Sequence, residues 1–552
     1  MPAAARPLVL ALAALALACG GPRADRPPEL RPTRGVVLIS IDALRADRLG
    51  PYGSARPTTP FLDRLARRAV VFDNAFCPIP STLPSHLSMF TGLYPTQHGV
   101  MPPSDVLAAA IPTLPELLRA AGVRTFGHSE GGYVQGGYGF ARGFEEWSDT
   151  PYAADTDVER TFGRGLDSLA RVGPGERFFL FLHTYTVHDP YAPPAAYAER
   201  FGVRSLPPGA FPATGPDFAA YNRGERALAP GALAAYGALY DAEIRYLDDV
   251  LERFFAGLES RGLARDTTVI LTSDHGEELH EHGRFVHTQV YPECLRVPLV
   301  VVHPDRTAPR RVHALTEIVD LAPTILELFG ARAPSNVAGR SRVAELAARD
   351  ADDGPATGRA FGQDEETDVV TRTVVRAVEG RPLQLIRRHP AGDAEGVWMG
   401  RELTFDARPP ELEVRAVAYH RPRTVEVRVG ATVVARLAVD TEWASHRIAL
   451  PAGGRRVVTL AADGCERPRE VDGSADDRCL AVKLAGVALD RVELYDLAAD
   501  PRAQHDLSAE RPDLVRTLAG ELAQYPERAL AEATHQTLSP EQVQQLKALG
   551  YL

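Results

Sequence analysis

Asp42 follows the apolar run Val36 to Ile41, His183 follows Phe178 to Leu182 with His188 five positions on, and Asp274-His275 come soon after Thr267 to Leu271. Carboxylates and imidazoles gathered at the ends of apolar runs suit Zn²⁺, Mn²⁺ or a harder divalent ion, and without a cation or a shared proton such a cluster is costly to bury. Four of the 16 histidines, His275, His280, His282 and His287, fall between residues 275 and 287. Thr82, in Ser81-Thr82-Leu83-Pro84-Ser85-His86, stands between a Pro-rich stretch and a helical pattern reaching Thr91-Gly92. Its hydroxyl therefore belongs to a helix N-terminus, where the dipole favours an anion. A hydroxyl beside a divalent ion loses its proton more readily and becomes a nucleophile.

These residues need a scaffold that brings strand ends together. Over the first 330 residues, short apolar runs alternate with amphipathic stretches such as Thr59 to Ala69, Thr113 to Ala121 and Gly231 to Arg261, the pattern of a parallel sheet wrapped by helices. In such sheets, ligands bind beyond the carboxyl ends of the strands, which is where Asp42, His183 and Asp274 fall. From about Gly400 to Leu489 the pattern becomes strict alternation, as in Thr424-Val425-Glu426-Val427-Arg428-Val429, and predicts a separate antiparallel β unit. Tyr419, Trp443 and His446 in that unit suit either a sugar- or lipid-binding face or a plain spacer. Helical patterning returns at the end, with a helix start at Ser539-Pro540-Glu541.

The ordered series Ser40-Ile41-Asp42-Ala43-Leu44-Arg45-Ala46-Asp47, Thr82-x-Pro84-Ser85 with Phe90-Thr91-Gly92, His188-Asp189-Pro190-Tyr191, Ser273-Asp274-His275-Gly276-Glu277 with Glu281-His282-Gly283, and Leu295-Arg296-Val297-Pro298 resembles the sulfatase branch of the alkaline-phosphatase superfamily. The likeness runs from residue 35 to about 345 and resumes at Glu493-Leu494-Tyr495-Asp496-Leu497. It implies an α/β fold: a central mixed, mostly parallel sheet flanked by helices, with a small antiparallel β-sandwich-like insertion near the C-terminus. It also implies Asp42, Thr82, Asp274 and His275 as ligands of a divalent ion (Ca, Mn or Zn), Thr82 as nucleophile, and His188 and His287 as leaving-group acids. Arg45, His86, Glu130 and His183 would bind substrate, Arg45 having the alternative of pairing with Asp47. His183, His188, His280, His282 and His287 are candidates for a second metal.

Three positions depart from the family pattern. Thr82 stands where sulfatases carry a Cys or Ser that becomes formylglycine, so no formylglycine is expected. Ala43 replaces a second metal-binding aspartate, and Glu130 replaces a lysine that grips the anion. A threonine ester has no second hydroxyl through which to eliminate its anion, so water or another acceptor must cleave it. The expectation is a metal-dependent hydrolase of sulfate or phosphate esters. A phosphodiesterase, phosphonate hydrolase or phosphoethanolamine-type transferase is the alternative, and a non-catalytic metal-containing binding lipoprotein the second.

The formal charge of −11 (61 Lys+Arg, 72 Asp+Glu) without a basic block argues against nucleic acid as a partner. An ester substrate, in a glycan or a lipid head group, is the expected one. Residues 1–19 read as a signal segment: Arg6, an apolar stretch Leu8 to Ala18, then Cys19 in Leu15-Ala16-Leu17-Ala18-Cys19, which resembles a bacterial lipobox. That predicts export, with the protein either lipid-anchored in the cell envelope or secreted. The expected division is 20–34 as linker, 35–345 as catalytic domain, 346–397 as its continuation, 398–490 as β insertion and 491–552 as C-terminal segment. In an oxidising compartment Cys465 and Cys479 would close the loop between them, with Cys77 and Cys294 left free or paired together.

Overall fold

The computed structural model describes residues 30–149, 158–366 and, with short gaps, 369–548. The signal segment and most of the linker, with Cys19, lie outside the described residues. An eight-stranded sheet forms the centre. Its strands are β1 (Gly35–Ile41), β2 (Val70–Phe72), β3 (Arg124–Ser129), β4 (Glu146–Asp149), β5 (Phe178–Thr184), β6 (Thr267–Thr272), β7 (Leu299–Val302) and β8 (Arg310–Val312), in the order β8-β2-β7-β6-β1-β5-β3-β4. Only β7 runs antiparallel to its neighbours, so the sheet is mixed and mostly parallel. β1 is buried along its whole length, as is β5, and their unbroken apolar runs reflect a sheet covered on both faces. The two faces feed two apolar clusters: one takes Val36 and Leu38 of β1, the other Val37, Ile39 and Ile41.

Helices cover those faces. α1 (Thr82–Thr91) is buried at every position and ends at Gly92, whose φ of 69° caps it in the left-handed region. α2 (Val158–Leu169) and the long α3 (Ala232–Ser260) pack together on the other face, Phe162 against Phe254. Among the described residues no helix is long and apolar enough to cross a membrane.

Beyond the main sheet, β9 (Arg359–Glu366), β10 (Val369–Val378) and β11 (Arg381–Pro390) form an antiparallel sheet whose fourth strand is β12 (Arg491–Asp496), paired directly to β11. The chain between β11 and β12 therefore leaves this sheet and returns to it. That excursion contains two further antiparallel sheets, of five and four strands. Both contribute to one separate core: Leu412, Val414 and Ile448 from the first, Val425, Val427 and Leu460 from the second. It is a sandwich, and its first strands, Gly392–Asp393 and Gly396–Met399, begin slightly before residue 398. Cys465 is disulfide-bonded, while Cys77 and Cys294 are free and buried; Cys479 lies outside the described residues.

Candidate active site

The site lies at the carboxyl ends of β1, β5 and β6, which are adjacent in the sheet and in parallel register. Asp42 is the first residue beyond β1, and its N–H donates to Thr184 O of β5 at 3.0 Å. Asp274 and His275 follow β6, and Asp42, Asp274 and His275 bring one ligand atom each within 4.8 Å of one another, all three buried. His275 Nε2 lies 3.6 Å from Asp42 Oδ1 and 3.3 Å from Asp274 Oδ2. His275 Nδ1 donates to Gly276 O at 2.9 Å, so in the neutral ring Nε2 carries its lone pair toward the two carboxylates.

These donors fit a divalent cation. Asp42 Oδ1 and Asp274 Oδ2 are buried without a hydrogen-bond partner, although a carboxylate in such a place normally finds one. Burial, reinforced by Asp274, holds Asp42 well above the usual carboxylate range. Two carboxylates and an imidazole make a set suited to Zn²⁺, Mn²⁺ or Ca²⁺.

Thr82, first residue of α1, places Oγ1 3.2 Å from His275 Nε2 and hydrogen-bonds Asp42. The helix is pinned there by its own side chains. Ser85 Oγ donates to Asp274 O at 2.6 Å, and His86 Nδ1 donates back to Thr82 O at 2.9 Å while Nε2 accepts from Ser40 Oγ at 2.9 Å. With both ring nitrogens engaged in this way His86 is neutral, burial pushing its pKa down to about 4. His183, at the end of β5, sits between Ser129 Oγ at 3.3 Å and Asp42 Oδ2 at 3.3 Å.

His188 and His287 come together, their ring centroids 5.5 Å apart and His287 4.1 Å from His275. Each donates through Nδ1 to a backbone carbonyl, His188 to Asp189 O at 2.7 Å and His287 to Pro80 O at 2.9 Å. Burial opposes charging His188, but Asp189 and Asp42 outweigh it and raise its pKa. Burial pushes His287 well down. The backbone is strained beside these residues: Ala43 (φ 56°) follows Asp42, Val187 (φ 102°) precedes His188 and Val286 (φ 64°) precedes His287. For branched valines the left-handed region is unfavourable, and such strain concentrates at functional sites.

Other expected residues go elsewhere. Arg45 is engaged inside the protein: Nε and Nη2 donate to Asp47 at 2.9 and 2.8 Å, and Nη1 donates to Glu281 Oε1 at 2.7 Å and to Glu277 O at 3.0 Å. Its guanidinium ties the loop after β1 to the loop after β6, with Asp47 as the partner named by the pairing alternative. His280 meets Tyr221 Oη at 2.7 Å, and His282 stacks on Tyr291 with ring centroids 3.5 Å apart, so neither joins the His188–His287 pair. Glu130, just beyond β3, is buried and accepts from Tyr185 N at 2.8 Å. Ser40, Ser85 and Tyr240 hold positions in the site that sequence reasoning gives no role. Tyr240, on α3, donates from Oη to Ala43 O at 2.7 Å and accepts from Arg45 N at 3.0 Å, holding the strained turn. A serine or tyrosine with a backbone partner has no spacing signal of its own.

Known proteins resemble this chain in sequence and in fold. A family model described as Sulfatase matches residues 34–331. The chain is 25% identical over 368 residues to an ulvan-active sulfatase of Formosa agariphila, covering 61% of this chain and 70% of that protein. It is 27% identical over 406 residues to the multifunctional alkaline phosphatase superfamily protein PehA of Trinickia caryophylli, covering 57% and 77%. The fold is similar to that of a protein solved with its substrate D-glucosamine-2-N,6-O-disulfate, with a TM-score of 0.59, 16% identity, and 90% and 97% of the two chains covered.

Proposed function

Because the chain belongs to the sulfatase family, we propose that this ester hydrolase cleaves sulfate or phosphate esters with Thr82 as nucleophile, at a divalent cation held by Asp42, Thr82, Asp274 and His275. The observation that carries the reading is Thr82 Oγ1 at a helix N-terminus, 3.2 Å from His275 Nε2 and bonded to Asp42. When bound, the cation would lower the pKa of the Thr82 hydroxyl and offset the charge of the ester oxygens.

The chain's own residues do the rest. Thr82 Oγ1, its proton released to solvent, attacks sulfur or phosphorus, and its new bond forms as the bond to the leaving oxygen breaks. His188, which Asp189 favours in its charged form, protonates that oxygen. Water then cleaves the Thr82 ester, its proton going to His287, which burial keeps neutral. His86 positions Thr82 through the backbone, and His183 orients Asp42. The unit that does this comprises 35–345 with 346–390 and 491–552, and the sandwich, which begins at Gly392 rather than 398, is an insertion into it.

Glu130 favours a narrower reading. A buried carboxylate one residue after Ser129, which contacts His183, makes the pocket less welcoming to a dianion. Monoanions, meaning sulfate monoesters, phosphodiesters and phosphonate monoesters, fit better than phosphate monoesters. A sulfated glycan is the natural class to try, since a protein of similar fold takes a sulfated glucosamine.

The test is metal analysis of the purified protein with a panel of nitrophenyl sulfate, phosphate, phosphodiester and phosphonate substrates. The expected result is about one equivalent of divalent metal and turnover of one or more monoanionic esters, with the phosphate monoester slowest. Metal-loaded protein that turns over none of them would favour a binding lipoprotein; a preference for the phosphate monoester would remove the Glu130 argument.

A further inference from the structure

The loop that carries His188 is fastened from behind by a side chain to which neither the sequence nor the chemistry above gives a role. Glu243 stands on α3 and is buried. Its Oε2 accepts from Val187 N at 2.8 Å and its Oε1 from Ala192 N at 2.7 Å. Between those two anchors lie His188, Asp189, Pro190 and Tyr191. One carboxylate therefore closes the loop across its base and pins the residue immediately before the leaving-group acid.

Ordinary core filling does not account for this contact. Val187 sits at φ 102°, unfavourable for a branched side chain, and such a conformation persists only where its surroundings over-determine it. Inside the loop, His188 N turns back to Tyr185 O at 2.8 Å and Tyr191 N goes to Ala213 O at 2.9 Å, so Val187 N and Ala192 N are the donors that tie it to α3. Burial pushes the Glu243 carboxyl up to about 8 against the pull of both N–H groups, and Asp189 adds repulsion. A buried carboxamide would escape that cost, but it offers one acceptor oxygen where a carboxylate offers two. His188 Nδ1 is itself tied to Asp189 O at 2.7 Å, so the direction of the ring follows the backbone that Glu243 holds.

We propose that Glu243 is a positioning residue for the leaving-group acid: through Val187 N and Ala192 N it sets the backbone of residues 187–192, and with it the direction in which His188 meets the leaving oxygen. The proposal rests on the assignment of His188 as that acid. Glu243 acts without meeting the ester.

A misplaced acid slows esters with poor leaving groups more than esters with good ones, because a stable phenolate departs without a proton, whereas lost folding slows both alike. The test compares kcat/KM for the 4-nitrophenyl and phenyl esters of the acid that the substrate panel selects, in wild type, Glu243→Ala, Glu243→Gln, His188→Ala and the double variant Glu243→Ala with His188→Ala. The nitrophenyl-to-phenyl ratio should rise by about tenfold or more in Glu243→Ala and in His188→Ala, and less in Glu243→Gln, which keeps one acceptor. The double variant should match His188→Ala alone. Amide exchange of residues 185–192 in the full-length proteins, read by mass spectrometry, tests the clamp without turnover and should be faster by about tenfold or more in Glu243→Ala. A wild-type ratio in Glu243→Ala beside a raised one in His188→Ala overturns the proposal and leaves the acid in place. An unchanged ratio in His188→Ala removes the acid assignment and the proposal with it, and unchanged exchange overturns the clamp itself. Should Glu243→Ala fail to fold, Glu243→Gln decides on the same two measurements.

Discussion

At the level of single residues, hydrogen bonds to the backbone decide which atom of each side chain is available. His275, His188 and His287 all donate through Nδ1 to a carbonyl, so in each neutral ring the lone pair sits on Nε2. Thr82 Oγ1 is held against His275, and Thr82→Ala should lower turnover by on the order of 10³-fold or more. Its melting temperature and bound metal should stay near those of the wild type, because Asp42, Asp274 and His275 remain. Turnover that survived the substitution would assign the nucleophile elsewhere. His98 provides a test away from the site. Its Nδ1 accepts from Val100 N at 3.2 Å and its Nε2 meets Ser88 Oγ at 3.2 Å and Pro84 O at 3.1 Å beneath α1. Burial pushes its pKa down to about 4 against the ordinary 6.5. The unfolded chain therefore binds this proton first as the pH falls. The contribution to stability is complete above pH 6.5 and is lost between 6.5 and 4, by up to about 3 kcal/mol. The margin in melting temperature of wild type over His98→Gln should shrink from pH 7.5 to pH 4.5; a constant margin would refute it.

At the level of elements, the turns after β1 and β6 do most of the positioning, and each depends on a close approach. A Cβ on Gly276 would stand 1.9 Å from Glu293 O, while Gly276 N–H donates to Cys294 O at 2.7 Å. Gly276→Ala must push the loop carrying His275 off the short helix Pro292–Leu295, at a cost of about 1–3 kcal/mol and with loss of turnover. Gly163, on α2, faces open space: a Cβ added there would meet nothing within 4 Å, and Gly163→Ala should stabilise by about 0.5–1 kcal/mol with activity unchanged. Urea unfolding of the pair checks both signs. Arg45 joins the same two turns, and Arg45→Met leaves Glu281 without its main partner, which should cost about 3–5 kcal/mol. How far these elements were legible follows from the same physics. β1, β5 and β6 were readable because strands buried on both faces must be continuously apolar. β3 (Arg-Thr-Phe-Gly-His-Ser) and β4 (Glu-Trp-Ser-Asp) carry polar side chains toward the sheet's edge, and no periodicity marks them. The ends of the apolar runs located Asp42, His183 and Asp274, but the partners of Arg45 and His280 are set by loop paths that spacing does not encode.

At the level of the whole molecule, the sandwich has its own core, sharing none of the residues that pack the catalytic sheet. Its length and alternation made it visible in the sequence, whereas the pairing of β11 with β12 across it was not, because contacts so distant in the chain leave no local pattern. Two units with separate cores respond separately to whatever holds one of them together. Asp42 and Asp274 face each other in the catalytic unit, each with a buried oxygen that lacks a hydrogen bond. Without a cation the two carboxylates repel and are poorly solvated; with one, the same pair is the strongest attraction in the site. Chelation should therefore lower the melting transition of the catalytic unit and leave that of the sandwich in place. A cation at a hundred times its dissociation constant returns about 2.7 kcal/mol. Asp274→Asn makes the argument two-sided. It removes the repulsion, so the chelated variant should melt above the chelated wild type, and it removes a ligand, so the order should reverse when Ca²⁺, Mn²⁺ or Zn²⁺ is restored. Differential scanning calorimetry of both proteins, with chelator and with each metal, measures this crossing. If the wild type melted higher under both conditions, the two carboxylates would not be a pair held together by a cation, and the metal assignment would fall with them.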